Sequence, residues 1–199
     1  MDKLWVIGIS GTNGAGKDTV GMMLAEHHNY LFVSVTDLLR TECRRRKLPV
    51  ERANLRMISA EWRREHGLGV LVDKAVAEYE VDKDKYTGVV IASLRNPGEA
   101  DRIHELGGTM LWIDADPRVR YGRIQSNKEH RGDRKAEDSK TFEEFLSEEK
   151  AEMYTSGDAA TLNMLGVKDR CESVVNNSNE DIEASRLHVE QTLGLGDGN

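Results

Sequence analysis

Apolar positions along this chain alternate between short continuous runs and stretches of helical spacing. Leu4–Ser10 is nearly continuous and apolar, as a strand buried on both faces of a parallel sheet must be. Leu31–Val35, Gly88–Ala92, Thr109–Ile113 and Cys171–Val175 read as four further strands. Between them the period changes. Thr19–His28 places Val20, Met23 and Leu24 on one side, and Glu51–His66 places Leu55, Ile58 and Trp62 at spacings of three and four. Asp37–Lys47, Val70–Val81, Pro97–Leu106, Asp116–Ser126, Phe142–Tyr154 and Glu180–Leu193 complete the predicted helices, and the tail Gly194–Asn199 is expected to fray. Strands that alternate with helices imply an α/β fold with a five-stranded parallel sheet.

Neither a repeat nor a linker divides the 199 residues, so 1–199 reads as one domain. Hydrophobic residues make up 38% and charged residues 32%, an ordinary globular composition. A formal net charge of -7 argues against general nucleic-acid binding, which leaves a basic footprint. No run approaches the roughly 20 apolar residues of a membrane span. Cys43 and Cys171 have no metal-ligand spacing, and a reduced, cytoplasmic setting is expected. The histidines make no cluster, and Trp5, Trp62 and Trp112 are expected in the core.

The most specific chemistry lies between the first strand and the first helix. Gly11-Thr12-Asn13-Gly14-Ala15-Gly16-Lys17 fits G-x-x-x-x-G-K in the strand-to-helix context that a phosphate loop requires. Its glycines let successive N–H groups turn inward onto phosphate oxygens, and the helix start adds its positive end. Lys17 supplies a charge for the β- and γ-phosphates, so ATP or a closely related nucleoside triphosphate is the expected ligand. The next residue is Asp18 where Ser or Thr is usual, with Thr19 following. Asp18 either meets Mg²⁺ or is favoured by the helix dipole, and Thr19 is the candidate for a phosphate or metal contact.

The G-A-G-K-D-T run resembles the phosphate loop of adenylate kinase and other nucleoside monophosphate kinases, and the layout is similar to that of dephospho-CoA kinase. Ser34–Arg40 resembles the segment of those kinases whose arginine holds the acceptor phosphate. Val89–Arg95 resembles their strand ending in arginine, and Arg120–Ile124 the helix leading into their lid. Val174–Asn177 resembles the stretch that passes near the adenine, which makes Asn177 a nucleotide-binding candidate. The resemblance implies a three-layer P-loop fold with an acceptor-binding helical region at 36–81 and a small lid at 126–141. Where the family has an acid after the third strand, this chain has Ala92 and then Ser93, with Asp37, Asp114 and Asp116 as possible substitutes.

Phosphoryl transfer needs cations converging from several segments. Arg40, Arg44, Arg45, Arg46, Lys47, Arg52, Arg56, Arg63 and Arg64 crowd one stretch. Arg44–Lys47 reads as a solvated helical face. Arg40 and Arg95 follow strand ends, where ligands of open α/β sheets bind, and are the expected acceptor-phosphate contacts. Arg123 and Arg131, flanking or within the lid segment, are the expected charge stabilisers; a surface loop is the other reading of that segment. Asp37 is either a helix N-cap or a group that orients or deprotonates an acceptor hydroxyl. These residues suit an ATP- and Mg²⁺-dependent kinase acting on a small nucleotide, most simply a (deoxy)nucleoside monophosphate. Dephospho-CoA kinase and a nucleotide-binding regulatory ATPase are the alternatives, the latter because of Ala92.

Overall fold

A computed structural model describes residues 5–126, 140–153, 157–179 and 181–195. Its sheet has five parallel strands in the order β2-β3-β1-β4-β5, with β1 (Val6–Gly11) at the centre. β3 (Gly88–Ala92) and β4 (Thr109–Asp114) flank it, and β2 (Tyr30–Ser34) and β5 (Ser173–Asn176) form the edges. All five expected strands are present, in an α/β P-loop kinase-like architecture.

Period-two alternation within the apolar runs explains why they are unbroken. Val6, Val89, Ile91, Met110 and Trp112 enter one core, while Ile7, Ile9, Val90, Leu111 and Ile113 enter the other. The second core is closed by α1 (Lys17–His28) and α9 (Ile182–Leu193), through Val20, Leu24 and Val189. The first is closed by α2 (Val35–Arg45), α3 (Arg52–His66), α4 (Val70–Val81), α5 (Pro97–Glu105) and α8 (Met164–Lys168). Trp112 is fully buried, and Trp5 and Trp62 pack against the edge of that core. The remaining helices, α6 (Pro117–Ser126) and α7 (Phe142–Met153), contact each other beyond the end of β4.

Several boundaries differ from expectation for physical reasons. β2 ends at Ser34, opposite Ala92, and α2 begins at once with Val35. Asp37 therefore lies inside the first turn and is not an N-cap; Ser34 holds that position without a side-chain cap bond. The short α8, capped by Asn163, has too few residues for a period to show. Gly194 caps α9 in the left-handed region, and Leu195 donates to the Glu190 carbonyl and packs on the core, so the expected fraying does not begin there. Most of the expected lid, including Arg131, lies outside the described residues.

Candidate active site

Because β1 is central and the chain leaves it in both directions, the loops after β1, β3 and β4 open a crevice at the carboxyl ends of the strands. The phosphate loop sits there. Gly11, Gly14 and Gly16 have φ of 142°, 81° and 88°. A Cβ on Gly11 would meet the Ile113 carbonyl oxygen at 1.9 Å, so β4 packs against a backbone that only glycine supplies. The loop is anchored on three sides. Thr12 N–H donates to Ile113 O at 3.2 Å, Thr12 Oγ1 donates to Asp114 at 2.7 Å, and Asn177 Nδ2 donates to Ala15 O at 2.8 Å. Asp114 thus braces the loop, and Asp116 accepts from the backbone of Arg118.

Lys17 folds back over this loop, and its Nζ donates to Thr12 O at 2.6 Å. Burial, with help from the nearby Arg95 guanidinium, pulls its pKa down to about 8. An anion bound in the loop stabilises the protonated amine, so the bound-state pKa must lie above the free one. Binding then takes up a proton once the pH exceeds about 8, and affinity falls with rising pH. ATP affinity is expected to be flat from pH 6.5 to 7.5 and to drop by up to about tenfold per unit above pH 8. Calorimetric titration at pH 7, 8 and 9 checks this, and an unchanged Kd across the series would contradict it.

Asp18 follows Lys17 and accepts a hydrogen bond from Ser93 Oγ at 3.1 Å. Ser93 has φ of 69°, an unusual conformation for a residue other than glycine. The next residue is tied to β1 at both its polar groups, as Leu94 N–H donates to Ile9 O and Leu94 O accepts from Ser10 Oγ. The acid missing at the end of β3 has its counterpart in the phosphate loop, and the hydroxyl missing from the loop is at the end of β3. Two hard oxygen donors beside a phosphate loop suit Mg²⁺, which takes few protein ligands and completes its shell with phosphate and water. Thr19 lines the same cavity and is exposed.

That cavity, of about 1020 Å³, runs from the phosphate loop across to α2 and α3. Asn13, Gly14, Gly16, Lys17, Asp18, Thr19, Asp37, Arg40, Arg95, Arg123 and Asn177 all line it. Among the expected nucleotide contacts, Gly11 and Ala15 sit in the loop without lining the cavity. Arg40 donates to Asp37 at 2.5 Å within α2. Arg123 donates to the carbonyls of Asn177 at 2.8 Å and Asn179 at 2.9 Å, a task of positioning the segment after β5 rather than presenting an unengaged cation. Of the basic run, Arg45 and Arg46 pair with Glu42 at the end of α2, and Arg46 also pairs with Glu61 and so ties α2 to α3.

Sequence reasoning missed the groups that hold this cavity open. Arg63 and Glu99 form a buried ion pair, with side chains 2% and 0% exposed and 2.7 Å between Nη2 and Oε1. The other Glu99 oxygen accepts from the backbone N–H of Arg95 and of Asn96, so the pair fixes the loop that carries Arg95 to α3. Arg120 donates to Asn13 O and pairs with Glu149, bracing the phosphate loop from α6. Glu152 reaches the cavity from the end of α7. No spacing marks these acids, because their partners are distant in the chain.

A central strand, a phosphate loop and a parallel sheet in this order define a P-loop kinase-like protein. Residues 7–153 match the family model described as AAA domain, and the chain belongs to that family. It is 26% identical over 193 residues to a UPF0200 protein of Pyrobaculum aerophilum, covering 95% of this chain and 94% of that one. A UPF0200 protein of Pyrococcus abyssi is 28% identical over 152 residues, covering 74% of this chain and 78% of the relative. Among solved structures, shikimate kinase from Bacteroides thetaiotaomicron aligns with a TM-score of 0.59 at 17% identity, covering 96% and 99% of the two chains. Shikimate kinase from Acinetobacter baumannii in complex with shikimate aligns at 0.55 with 13% identity, covering 99% and 97%. These likenesses establish the fold. Among the described residues, no helix is long and apolar enough to cross a membrane.

Proposed function

We propose that this chain transfers the γ-phosphate of ATP to a (deoxy)nucleoside monophosphate. The observation that carries this reading is one cavity joining Lys17 and its loop to arginines from α2, α3 and the β3–α5 loop. Its volume of about 1020 Å³ suits two small ligands brought together. Lys17 and the loop N–H groups would hold the donor phosphates, and Asn177 would border the base. Arg40 and Arg95 would grip the acceptor phosphate and aim one of its oxygens at the donor. Asp18, Ser93 and Thr19 would hold Mg²⁺, which neutralises charge on the triphosphate. Asp18 beside Ser93 supports transfer over a switch as the reading of Ala92.

A hydroxyl acceptor of the dephospho-CoA type is the second reading, favoured by Asp37 at the cavity wall. The two separate by mutation. A monophosphate already carries its nucleophile, so Asp37→Asn should lower kcat by less than about tenfold, whereas loss of a general base costs about 10²–10⁴. Single-turnover kinetics with the preferred acceptor measures this. The overall test is a screen of nucleoside monophosphates and dephospho-CoA with ATP and Mg²⁺, scoring ADP and a new phosphorylated product. ADP release without any phosphorylated acceptor would refute the transfer reading.

A further inference from the structure

Among the described residues, Glu152 has an unusual set of partners. Its Oε1 accepts from Arg56 at 2.5 Å and lies 3.5 Å from Arg52, and its Oε2 accepts from Arg95 at 2.9 Å. Three guanidiniums from two separate elements therefore surround one carboxylate whose side chain is 14% exposed. The carboxylate lies inside the cavity, close enough to Lys17 to act on its charge. Burial alone would push the Glu152 carboxyl up, yet Arg95, Arg52 and Arg56 hold it below the ordinary carboxylate range.

The backbone that carries the arginines is fixed without Glu152. Glu99 pins the Arg95 backbone N–H at 2.7 Å, and the Arg95 carbonyl accepts from Asn163 N–H at 3.0 Å. Arg63, on the same helix as Arg52 and Arg56, is locked to Glu99. Glu152, by contrast, stands at the penultimate position of α7. The scaffold is thus fixed from behind, and the acid sits in front of it.

We propose that Arg52, Arg56 and Arg95 form the seat for a phosphate monoester, and that Glu152 is an internal anion filling this seat until the ligand displaces it. The proposal deepens the kinase reading and rests on it for the word acceptor. Even with Glu148 3.6 Å from Arg52, three guanidiniums outnumber the two carboxylates facing them, and a phosphate dianion in place of Glu152 offsets that excess better than a carboxylate does. Guanidinium forks also match phosphate oxygens in pairs. An acceptor lacking the phosphate leaves Glu152 in place and meets a filled seat, so the residue sets specificity as well. Arg40, which lines the same cavity from α2, would complete the grip on that phosphate.

The probe is inorganic phosphate, titrated into the full chain with a saturating non-hydrolysable ATP analogue so that the phosphate loop, its γ-phosphate position included, is already filled. Removing a competitor that occupies the seat about nine-tenths of the time tightens binding about tenfold. Glu152→Gln and Glu152→Ala should both do so, and Arg56→Ala added to Glu152→Gln should abolish the gain. Thermal unfolding of each variant checks that it is folded. Phosphate affinity that is unchanged or weaker in both Glu152 variants would overturn the proposal, as would a gain that survives Arg56→Ala. A gain without turnover in the acceptor screen would leave the seat standing and refute the kinase reading. Turnover of a monophosphate with no gain would do the reverse.

Discussion

Lys17→Ala is expected to lower kcat by about 10³-fold or more, because removing one preorganised charge from a phosphoryl-transfer site costs on this scale. The geometry argues that the loss will be confined to chemistry and nucleotide binding. Lys17 begins α1, and its Nζ donates to one acceptor, the Thr12 carbonyl. The loop itself is anchored by other groups, through Ile113, Asp114 and Asn177. Burial already disfavours the Lys17 charge, as its lowered pKa records, so a neutral replacement removes a cost to folding. The melting temperature should therefore stay level or rise while turnover disappears. Single-turnover kinetics and thermal unfolding on the same preparation decide it. Undiminished turnover in a folded variant would refute the kinase reading.

Much of this was legible in the sequence where the signal is local. The five strands announced themselves because a strand covered on both faces must be apolar at every position, and β1, β3 and β4 supply both cores. The phosphate loop was legible because glycine is required by the backbone itself, at φ values that other residues rarely adopt. Acids gave no such signal. Glu99 and Glu152 look in sequence like the many other glutamates on helix faces, and only folding brings them against Arg63, Arg95, Arg52 and Arg56. The same limit applies to Arg123, which reads as a cation near a lid and is engaged by two backbone carbonyls. Ionic partners are set by tertiary approach, which periodicity does not encode.

The pairing of Asp18 with Ser93 gives the second large effect and its own control. If the two donors have exchanged places while keeping one task, each single change should damage the site and the joint exchange should repair it. Asp18→Ser leaves two facing hydroxyls and removes the carboxylate from this pair. It should lower kcat by about a hundredfold and raise the half-saturating Mg²⁺ by about ten- to a hundredfold, on the scale seen when groups supporting a bound metal are lost. Adding Ser93→Asp returns a carboxylate to the end of β3 and keeps a hydroxyl in the loop. Asp tolerates the left-handed backbone of position 93 better than most residues, so its φ of 69° is no obstacle. The double variant should recover to within about tenfold of the parent in both measures, a coupling that only interacting sites display. Mg²⁺ titration of ADP binding reports the effect without relying on turnover. Were Asp18 merely a charge favoured by the start of α1, Asp18→Ser would cost about 0.3–1 kcal/mol of stability and leave the Mg²⁺ requirement unmoved. A double variant no better than Asp18→Ser alone would show that the two side chains meet at 3.1 Å without sharing a ligand.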